Sequence, residues 1–156
     1  MSRLAGRVAI VTGAAQGLGE ALARRMAAEG CACVTVADMN YEKAQATAEA
    51  IRTQYPCGVL ATHTDVTSEE QVASMVGATR SAFGSVDVLI ANAGILIAKD
   101  VTEFGVAQWR KVMDVNLVGY FICAQADARV MVEQRRGAIV KINSKSGKKG
   151  SFRNSA

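Results

Sequence analysis

The chain has 156 residues, of which 50% are hydrophobic and 5% aromatic, and this length fits one domain with a buried core. The net charge of +4 is modest and the sequence shows no basic face studded with aromatic residues, which on composition excludes nucleic acid as a partner. No apolar run approaches the length of a membrane span, and no secretory apolar segment precedes the first strand. We therefore expect a single domain over residues 1–156, in the cytoplasm and without a membrane partner.

The cysteines do not form the pattern of a metal site. Cys31, Cys33, Cys57 and Cys123 show no CxxC spacing, and His63 is the only histidine. Structural zinc sites combine such cysteine pairs with each other or with histidines. We predict free, mostly buried thiols and no bound metal.

The first predicted element is the apolar run at residues 8–11, which meets a glycine-rich turn and then a helix. Residues 8–19 read VAIVTGAAQGLG. Gly13 permits a tight turn, Gly17 lets the backbone approach a pyrophosphate, and Gly19 lets the helix lie close to the strand. This order predicts a dinucleotide loop with phosphate at the helix N-terminus. An ordinary glycine-rich strand–helix turn is the alternative.

Strand and helix patterns then alternate without long linkers or repeats. Apolar runs predict four further strands, at residues 33–37, 59–63, 86–91 and 138–143. Helical spacing predicts helices at residues 40–54, from 67 or 68 to 83, 105–115 and 116–134. The alternation predicts an α/β fold, a doubly wound parallel sheet of Rossmann type with strand order 3-2-1-4-5. Its ligand crevice would lie beyond the carboxyl ends of strands 1 and 4.

Two of these helices carry further local signals. Glu70 and Gln71 follow Thr67 and Ser68 by three residues, which predicts a capping box. In the last helix, helical spacing predicts one apolar face, made of Leu117, Tyr120, Phe121, Ala124, Ala128 and Met131.

Asp38 follows the second strand, about twenty residues beyond the glycine loop. A carboxylate there can accept hydrogen bonds from the adenosine ribose, and it would repel the extra phosphate of NADP. Two unit charges about 4 Å apart interact by roughly 4 kcal/mol at an effective dielectric of 20. A repulsion of only a third of that energy would give about a tenfold preference for NAD over NADP. No arginine or lysine lies within residues 14–16 or beside Asp38 in the sequence. The pattern predicts NAD as the cofactor, with an ordinary turn aspartate as the alternative.

Polar or small residues also end the third and fourth strands. Asp65 and Val66 could meet an adenine, and the turn Asn92-Ala93-Gly94 leaves room for a ribose, although each is also a common turn sequence. The combined order and spacing resemble those of the short-chain dehydrogenase/reductase family, from about residue 7 to the end of the chain. The matching positions are residues 12–19, Asp38, Asp65, Val66, residues 91–94, Asn116 and Ser144.

This resemblance implies a role for each matching residue. The implied cofactor-binding residues are Gly13, Gln16, Gly17, Leu18 and Gly19 at the pyrophosphate, Asp38 and Met39 at the ribose, Asp65 and Val66 at the adenine, and Asn92, Ala93, Gly94 and Ile142 on the nicotinamide side. Asn116 would order a water in the family's proton relay, and Ser144 would hydrogen-bond the substrate oxygen. A hydroxyl donor there fits the chemistry, because hydride transfer to a carbonyl builds negative charge on oxygen.

The family's proton source is a tyrosine about thirteen residues after that serine, followed by a lysine. Counted from Ser144, the tyrosine position falls just past Ala156, and Tyr41, Tyr55 and Tyr120 lie at the wrong places. We therefore expect these 156 residues to be the inactive N-terminal part of a longer enzyme, whose last two strands lie outside them.

The last residues suggest a substrate. Residues 142–156, INSKSGKKGSFRNSA, and the run NLVGYF at 116–121 resemble a polyol-phosphate branch of the family. This implies NAD-dependent interconversion of sorbitol 6-phosphate and fructose 6-phosphate, with Ser144 and Lys145 contacting the substrate. Four cations near the serine could contact a phosphate dianion: Lys145, Lys148, Lys149 and Arg153. The alternative is that they form a solvated basic loop.

Other readings stay open. The same fold could reduce another carbonyl, such as a 3-oxoacyl chain, or the chain could be an inactive nucleotide-binding module. The family resemblance also implies a homo-oligomer, a dimer or tetramer, with the helices of residues 105–134 at an interface.

Overall fold

A five-stranded parallel sheet forms the centre of the computed structural model, which describes residues 3–144. Its strands are β1 (Val8–Thr12), β2 (Cys33–Asp38), β3 (Gly58–His63), β4 (Val88–Ala91) and β5 (Ala138–Lys141). They lie in the order β3-β2-β1-β4-β5 and every neighbouring pair is parallel, which confirms the predicted Rossmann-type topology. The strand order reverses between β1 and β4, so a crevice opens at their carboxyl ends.

Helices cover both faces of this sheet. They are α1 (Gly17–Ala28), α2 (Tyr41–Gln54), α3 (Glu69–Phe83), α4 (Val106–Met113) and α5 (Gly119–Glu133), with a 3₁₀ turn at Val101–Glu103. Val11 and Ile51 belong to the core under α1 and α2, whereas Met75 and Leu89 belong to the core under α3 and α5. No helix within residues 3–144 is long and apolar enough to cross a lipid bilayer.

The start of α3 shows half of the predicted capping box. Ser68 is the N-cap, and its hydroxyl oxygen accepts a hydrogen bond from the Gln71 backbone N–H at 3.3 Å. The Gln71 side chain does not return to Ser68, because its Oε1 accepts from the Asp65 N–H at 2.9 Å. Thr67 donates its hydroxyl to Asp65 Oδ1 at 2.7 Å. The second half of the box therefore stabilises the turn at Asp65, on the edge of the crevice.

Two predicted strand ends were wrong by two residues, because β4 begins at Val88 and not at residue 86, and β5 ends at Lys141 and not at residue 143; the other strand ends agree within one residue. Asp87 lies directly before β4 and is buried. Its carboxylate accepts hydrogen bonds from the Val8 N–H, the Ser85 hydroxyl and Arg136 Nε, at 3.0, 3.0 and 2.7 Å. Burial raises the pKa of Asp87, but these hydrogen bonds outweigh it, so the pKa lies below its ordinary value. The side chain thus joins the segments of Val8, Ser85 and Arg136 at the amino end of the sheet, where the Asp87 backbone also bonds to Val8 and Ala138.

The predicted break between residues 115 and 116 is also wrong. A π turn, Asp114–Val118, joins α4 to α5, and the Gly119 N–H bonds to the Asp114 carbonyl. The extra residue in this turn rotates the following helix face by about 100°. Leu117 and Phe121, predicted on the buried face, are exposed, and α5 carries apolar side chains on more than one side. The buried residues of α5 are Gly119, Cys123, Asp127, Val130 and Met131, and only Met131 of these was predicted.

The prediction of free thiols is confirmed. Cys31 and Cys123 are buried, whereas Cys33 and Cys57 are half-buried. Burial raises the pKa of both Cys31 and Cys123 to about 12. These two thiols are protonated at neutral pH and act as small apolar packing groups.

Candidate functional site

A cavity of about 550 Å³ opens at the carboxyl ends of β1, β2 and β4. Its size is in the range of small-molecule and cofactor pockets. Every residue predicted to bind the cofactor lines this cavity except Ile142: these are Gly13, Gln16, Gly17, Leu18, Gly19, Asp38, Met39, Asp65, Val66, Asn92, Ala93 and Gly94. Residues spread over four strand ends therefore meet around one space.

The three glycines of the first loop meet different constraints. Gly13 has φ +63°, and a Cβ there would lie 2.8 Å from Ala93 Cα. Gly17 has φ +59°, and a Cβ there would meet nothing within 4 Å, so the loop faces open space at this point. At Gly19 a Cβ would lie 1.9 Å from the Gly13 carbonyl oxygen, closer than any real contact. Gly13 and Gly19 thus allow the backbones of the loop, the helix and the β4 turn to touch.

The N-terminus of α1 differs from those of α2 and α3. Gln16, its N-cap, makes no side-chain capping hydrogen bond. Asn40 and Ser68 cap α2 and α3 by accepting from the backbone N–H groups of Lys43 and Gln71. The first N–H groups of α1 therefore lack a side-chain acceptor and point, with the positive end of the helix dipole, toward the cavity edge. This is the local arrangement that binds phosphate.

The Asp38 carboxylate is held at the end of β2 by two backbone donors. Oδ2 accepts from the Ala15 N–H at 3.0 Å, and Oδ1 accepts from the Asn40 N–H at 2.8 Å. A carboxylate offers about four acceptor positions, so further positions remain for hydroxyl donors. The side chain is therefore pre-oriented and still able to accept from a ligand.

Lys43 is a functional candidate that sequence reasoning missed. Its Nζ donates to Gln16 Oε1 at 2.9 Å, which brings a cation to the glycine loop close to Asp38. No basic residue lies within residues 14–16 or beside Asp38 in the sequence, but the prediction of NAD from this absence did not take Lys43 into account. The available signal was the Asn40 N-cap, because it places Lys43 in the first turn of α2, on the same side as the loop.

Thr12 and Asn92 connect the ends of β1 and β4. Thr12 Oγ1 accepts from the N–H groups of Asn92 and Ala93, both at 3.1 Å. Asn92 Nδ2 donates to the carbonyls of Thr12 and Gly13, both at 3.1 Å. Asn92 was predicted on the cofactor side, and the structure shows that it also holds the glycine loop in place.

A second cavity of about 130 Å³ adjoins the first at its β4–β5 end. Val66, Asn92, Ala93 and Gly94 line both spaces. The smaller cavity also contains the remaining predicted residues of the described chain, Asn116, Ile142 and Ser144, together with Lys141, which was not predicted. Lys145, predicted to contact substrate, lies outside the described residues.

Asn116 lies in the π turn, and its amide binds the backbone of the segment after β4. Oδ1 accepts from the Ile95 N–H at 2.8 Å, and Nδ2 donates to the Ile95 carbonyl at 2.9 Å. Its own backbone carbonyl accepts from Lys141 Nζ at 3.1 Å. Asn116 thus fixes the wall between the two cavities through its side chain.

Ser144 lies three residues beyond β5, exposed and on the wall of the smaller cavity. Its N–H donates to Asn143 Oδ1 at 3.1 Å. Ile142 N–H extends the sheet by one bond to the Ala91 carbonyl, at 3.0 Å. The end of β5 therefore places the serine next to the space that Asn92, Ala93 and Gly94, which are predicted on the cofactor side, also line.

A family model described as short chain dehydrogenase matches residues 7–156. This chain belongs to the short-chain dehydrogenase family. The (-)-isopiperitenol/(-)-carveol dehydrogenase of Mentha piperita is 42% identical over 142 residues, which cover 90% of this chain and 52% of that protein. The sorbitol-6-phosphate 2-dehydrogenase of Escherichia coli is 39% identical over 151 residues, covering 96% of this chain and 58% of that protein.

A solved structure of 7α-hydroxysteroid dehydrogenase with NADH and 7-oxo glycochenodeoxycholic acid superposes on this short-chain dehydrogenase with a TM-score of 0.90. The two are 30% identical, and the match covers 97% of this chain and 58% of the other. The chain thus spans somewhat more than half the length of the relatives it matches. The match to this fold extends over nearly all of the 156 residues.

Substituting Gly19 with alanine is expected to weaken cofactor binding by at least about tenfold, because the added Cβ must push α1 away from the Gly13 carbonyl. Gly77→Ala is the matched control. Gly77 lies inside α3 with nothing within 4 Å of a Cβ, so this change should stabilise the fold by about 0.5–1 kcal/mol. Titration of NADH fluorescence and urea unfolding measure the two effects. Equal NADH affinity in Gly19→Ala and the parent would contradict the close-packing argument.

Proposed function

We propose that the complete protein is an NAD-dependent oxidoreductase that interconverts a secondary alcohol and its ketone, with a polyol or polyol phosphate as substrate. The observation that carries the proposal is the pair of adjoining cavities. The glycine-rich loop of residues 13–19 and Asp38 line the larger cavity, and Ser144 lines the smaller one. Membership of the short-chain dehydrogenase family supports it.

The larger cavity fits a dinucleotide on its own geometry. The uncapped N-terminus of α1 and the open space at Gly17 would receive the pyrophosphate. Asp38 would accept hydrogen bonds from the adenosine ribose, and Asp65 and Val66 would contact the adenine. The relative of known structure was solved with NADH, which supports the same cofactor here. When bound, NAD supplies the hydride acceptor or donor.

The residues of the smaller cavity would act on the substrate. Ser144 would donate a hydrogen bond to the reacting oxygen, where negative charge develops as the carbonyl is reduced. The hydrogen bonds of Asn116 to Ile95 would keep the cavity wall in position. A serine hydroxyl is a poor acid, so the proton must come from another group.

The test is turnover of the complete protein with a panel of substrates. We expect NADH formation from NAD and sorbitol 6-phosphate, at a higher kcat/KM than NADH formation with sorbitol or NADH consumption with a 3-oxoacyl thioester. The 42% identity to a carveol dehydrogenase favours alicyclic secondary alcohols as the second candidate, so carveol belongs in the panel. Tight NADH binding without turnover of any alcohol or ketone would reject the oxidoreductase proposal in favour of a nucleotide-binding module.

Replacing Asp38 with alanine is expected to lower the preference for NAD over NADP by about tenfold, because the repulsion of the extra phosphate disappears. Lys43, already at the loop, would remain to attract that phosphate. The measurement is the ratio of kcat/KM for the two cofactors, with Asp100→Ala as a control outside the cavity lining. An unchanged ratio would reject the role of Asp38 in cofactor choice.

We also propose a homo-oligomer formed through α4 and α5. Large apolar side chains are exposed along these helices and in the π turn between them: Val106, Trp109, Leu117, Phe121 and Val132. Exposed apolar side chains in one region are typical of interaction surfaces. Light scattering of the complete protein should give a dimer or tetramer, and a monomer would contradict the proposal.

A further inference from the structure

Lys141 is a cation on the wall of the smaller cavity and has no role in the proposed reaction. It is the last residue of β5 and is half-buried. Its Nζ donates to the Asn116 carbonyl at 3.1 Å and lies 4.5 Å from the centre of the Tyr120 ring. A cation at this distance from an aromatic face is attracted to it. The ammonium is therefore held by two groups, both on the helix that faces β5.

The carbonyl that Lys141 binds lies inside the π turn. In this turn the backbone hydrogen bond spans five residues and not the four of an α-helix, because the Gly119 N–H donates to the Asp114 carbonyl. A wider turn of this kind is weaker than a regular helix and is frequently found at functional sites. Lys141 supplies a charge-assisted hydrogen bond in the middle of it, and such bonds are stronger than neutral ones.

The contact extends to the wall of the cofactor cavity. Asn116, whose carbonyl Lys141 holds, binds both backbone groups of Ile95 with its side chain. Ile95 directly follows Gly94 and lines the larger cavity. Hydrogen bonds thus connect Lys141, three residues before Ser144, through Asn116 to Ile95 on the wall of the larger cavity.

We propose that Lys141 is a positioning residue, which sets the place of Asn116 and Ile95 relative to Ser144. This inference rests on the proposed dehydrogenase function. Its physical basis is that small displacements of positioning groups are costly, since about 1 Å of misplacement can lower a rate by about a hundredfold. Ser144 lines the smaller cavity and Ile95 lines the adjoining larger one, so the proposed reaction between their contents needs the distance between these walls to be kept.

The experiment compares Lys141→Met, Lys141→Arg and Arg52→Met in the complete protein. Arg52 is the matched control, because its guanidinium also donates to a backbone carbonyl, that of Val59, at 3.1 Å, but at the other edge of the sheet. We expect Lys141→Met to lower kcat by about 10–100-fold while KM and the NADH Kd change by less than about twofold. Lys141→Arg should recover most of the rate, since a guanidinium can reach the carbonyl and stack on Tyr120. Arg52→Met should have the parent kcat.

An activity-independent readout separates this inference from the proposed function. Hydrogen exchange at the Ile95 amide, which donates to Asn116, should become faster in Lys141→Met. The Asp65 amide, which donates to Gln71 in a similar way, should not change. If the parent turns over no substrate, the proposed function fails, and the Ile95 exchange rate alone decides on Lys141. Unchanged exchange at Ile95, or a parent-like kcat in Lys141→Met, overturns the positioning role.

Discussion

Replacing Ser144 with alanine in the complete protein is expected to lower kcat by about 10²–10³-fold. The physical reason is that the lost hydroxyl would donate to the oxygen on which charge develops, and removing one such donor costs about 2.7–4 kcal/mol of transition-state stabilisation. The NADH Kd should stay close to that of the parent, because Ser144 lies on the smaller cavity and does not line the larger one. The measurements are kcat, KM and NADH affinity with the best substrate of the panel.

Ser74→Ala is the control for Ser144→Ala. Ser74 is exposed on α3, outside the lining of both cavities, so its substitution should leave kcat unchanged. A kcat within about threefold of the parent in Ser144→Ala would remove the serine from the chemical step. A rise in KM at constant kcat would assign it to substrate binding instead.

The second large effect concerns Asp127, a carboxyl that α5 buries completely. Its exposed fraction is 0%, and within the described residues neither oxygen has a hydrogen-bond partner. Burial raises its pKa to about 7. The same burial acts on Cys123 one turn earlier, whose pKa is raised first by burial and then by the charge of Asp127. Asp127 therefore lies at a site that favours its neutral form.

Substituting Asp127 with alanine is expected to stabilise the fold increasingly as the pH rises. The pKa of Asp127 is about 7 in the folded state and about 3.9 when unfolded, so the folded state binds more protons between these values. The free energy of unfolding of the parent, minus that of Asp127→Ala, is therefore highest below pH 4. It falls by about 1.4 kcal/mol per pH unit between pH 4 and 7 and does not change above pH 7. The total difference is about 4 kcal/mol.

Urea unfolding of the parent and Asp127→Ala at pH 5, 6, 7 and 8 measures this difference. The subtraction removes the contributions of other titrating groups, among them Asp87, whose lowered pKa acts in the opposite direction. Asp114→Ala is the control on the same helical segment, because Asp114 is exposed, and it should change stability by less than about 0.5 kcal/mol at each pH. If the difference in the free energy of unfolding between the parent and Asp127→Ala does not change with pH, Asp127 does not lie at a buried site that favours its neutral form.

Much of the candidate site could be predicted because its residues follow strand ends. Asp38, Asn92 and Ser144 come directly after predicted strands and Gly13 comes two residues after one, and parallel strands bring their carboxyl ends to one edge. Lys43 and Lys141 were not predicted. Each acts through a contact with a residue at least 25 positions away, as the separations of 27 and 25 show. For Lys43 the Asn40 N-cap gives a local signal of its position but not of its partner Gln16, and for Lys141 no local pattern encodes the contact.

The amino-acid sequence by itself determined the order of strands and helices, the parallel sheet and the glycine turn, because these depend on local apolar periodicity and on the φ angles that glycine allows. Only the tertiary structure decided the helix face of α5 and the burial of Asp127. The π turn at Asp114–Val118 adds one residue to the helical register, and it is held by contacts from β5 and from the segment after β4. Apolar side chains lie on more than one side of α5, since Phe121 and Val132 are exposed whereas Val130 and Met131 are buried, so periodicity along the chain does not single out the face that packs on the sheet.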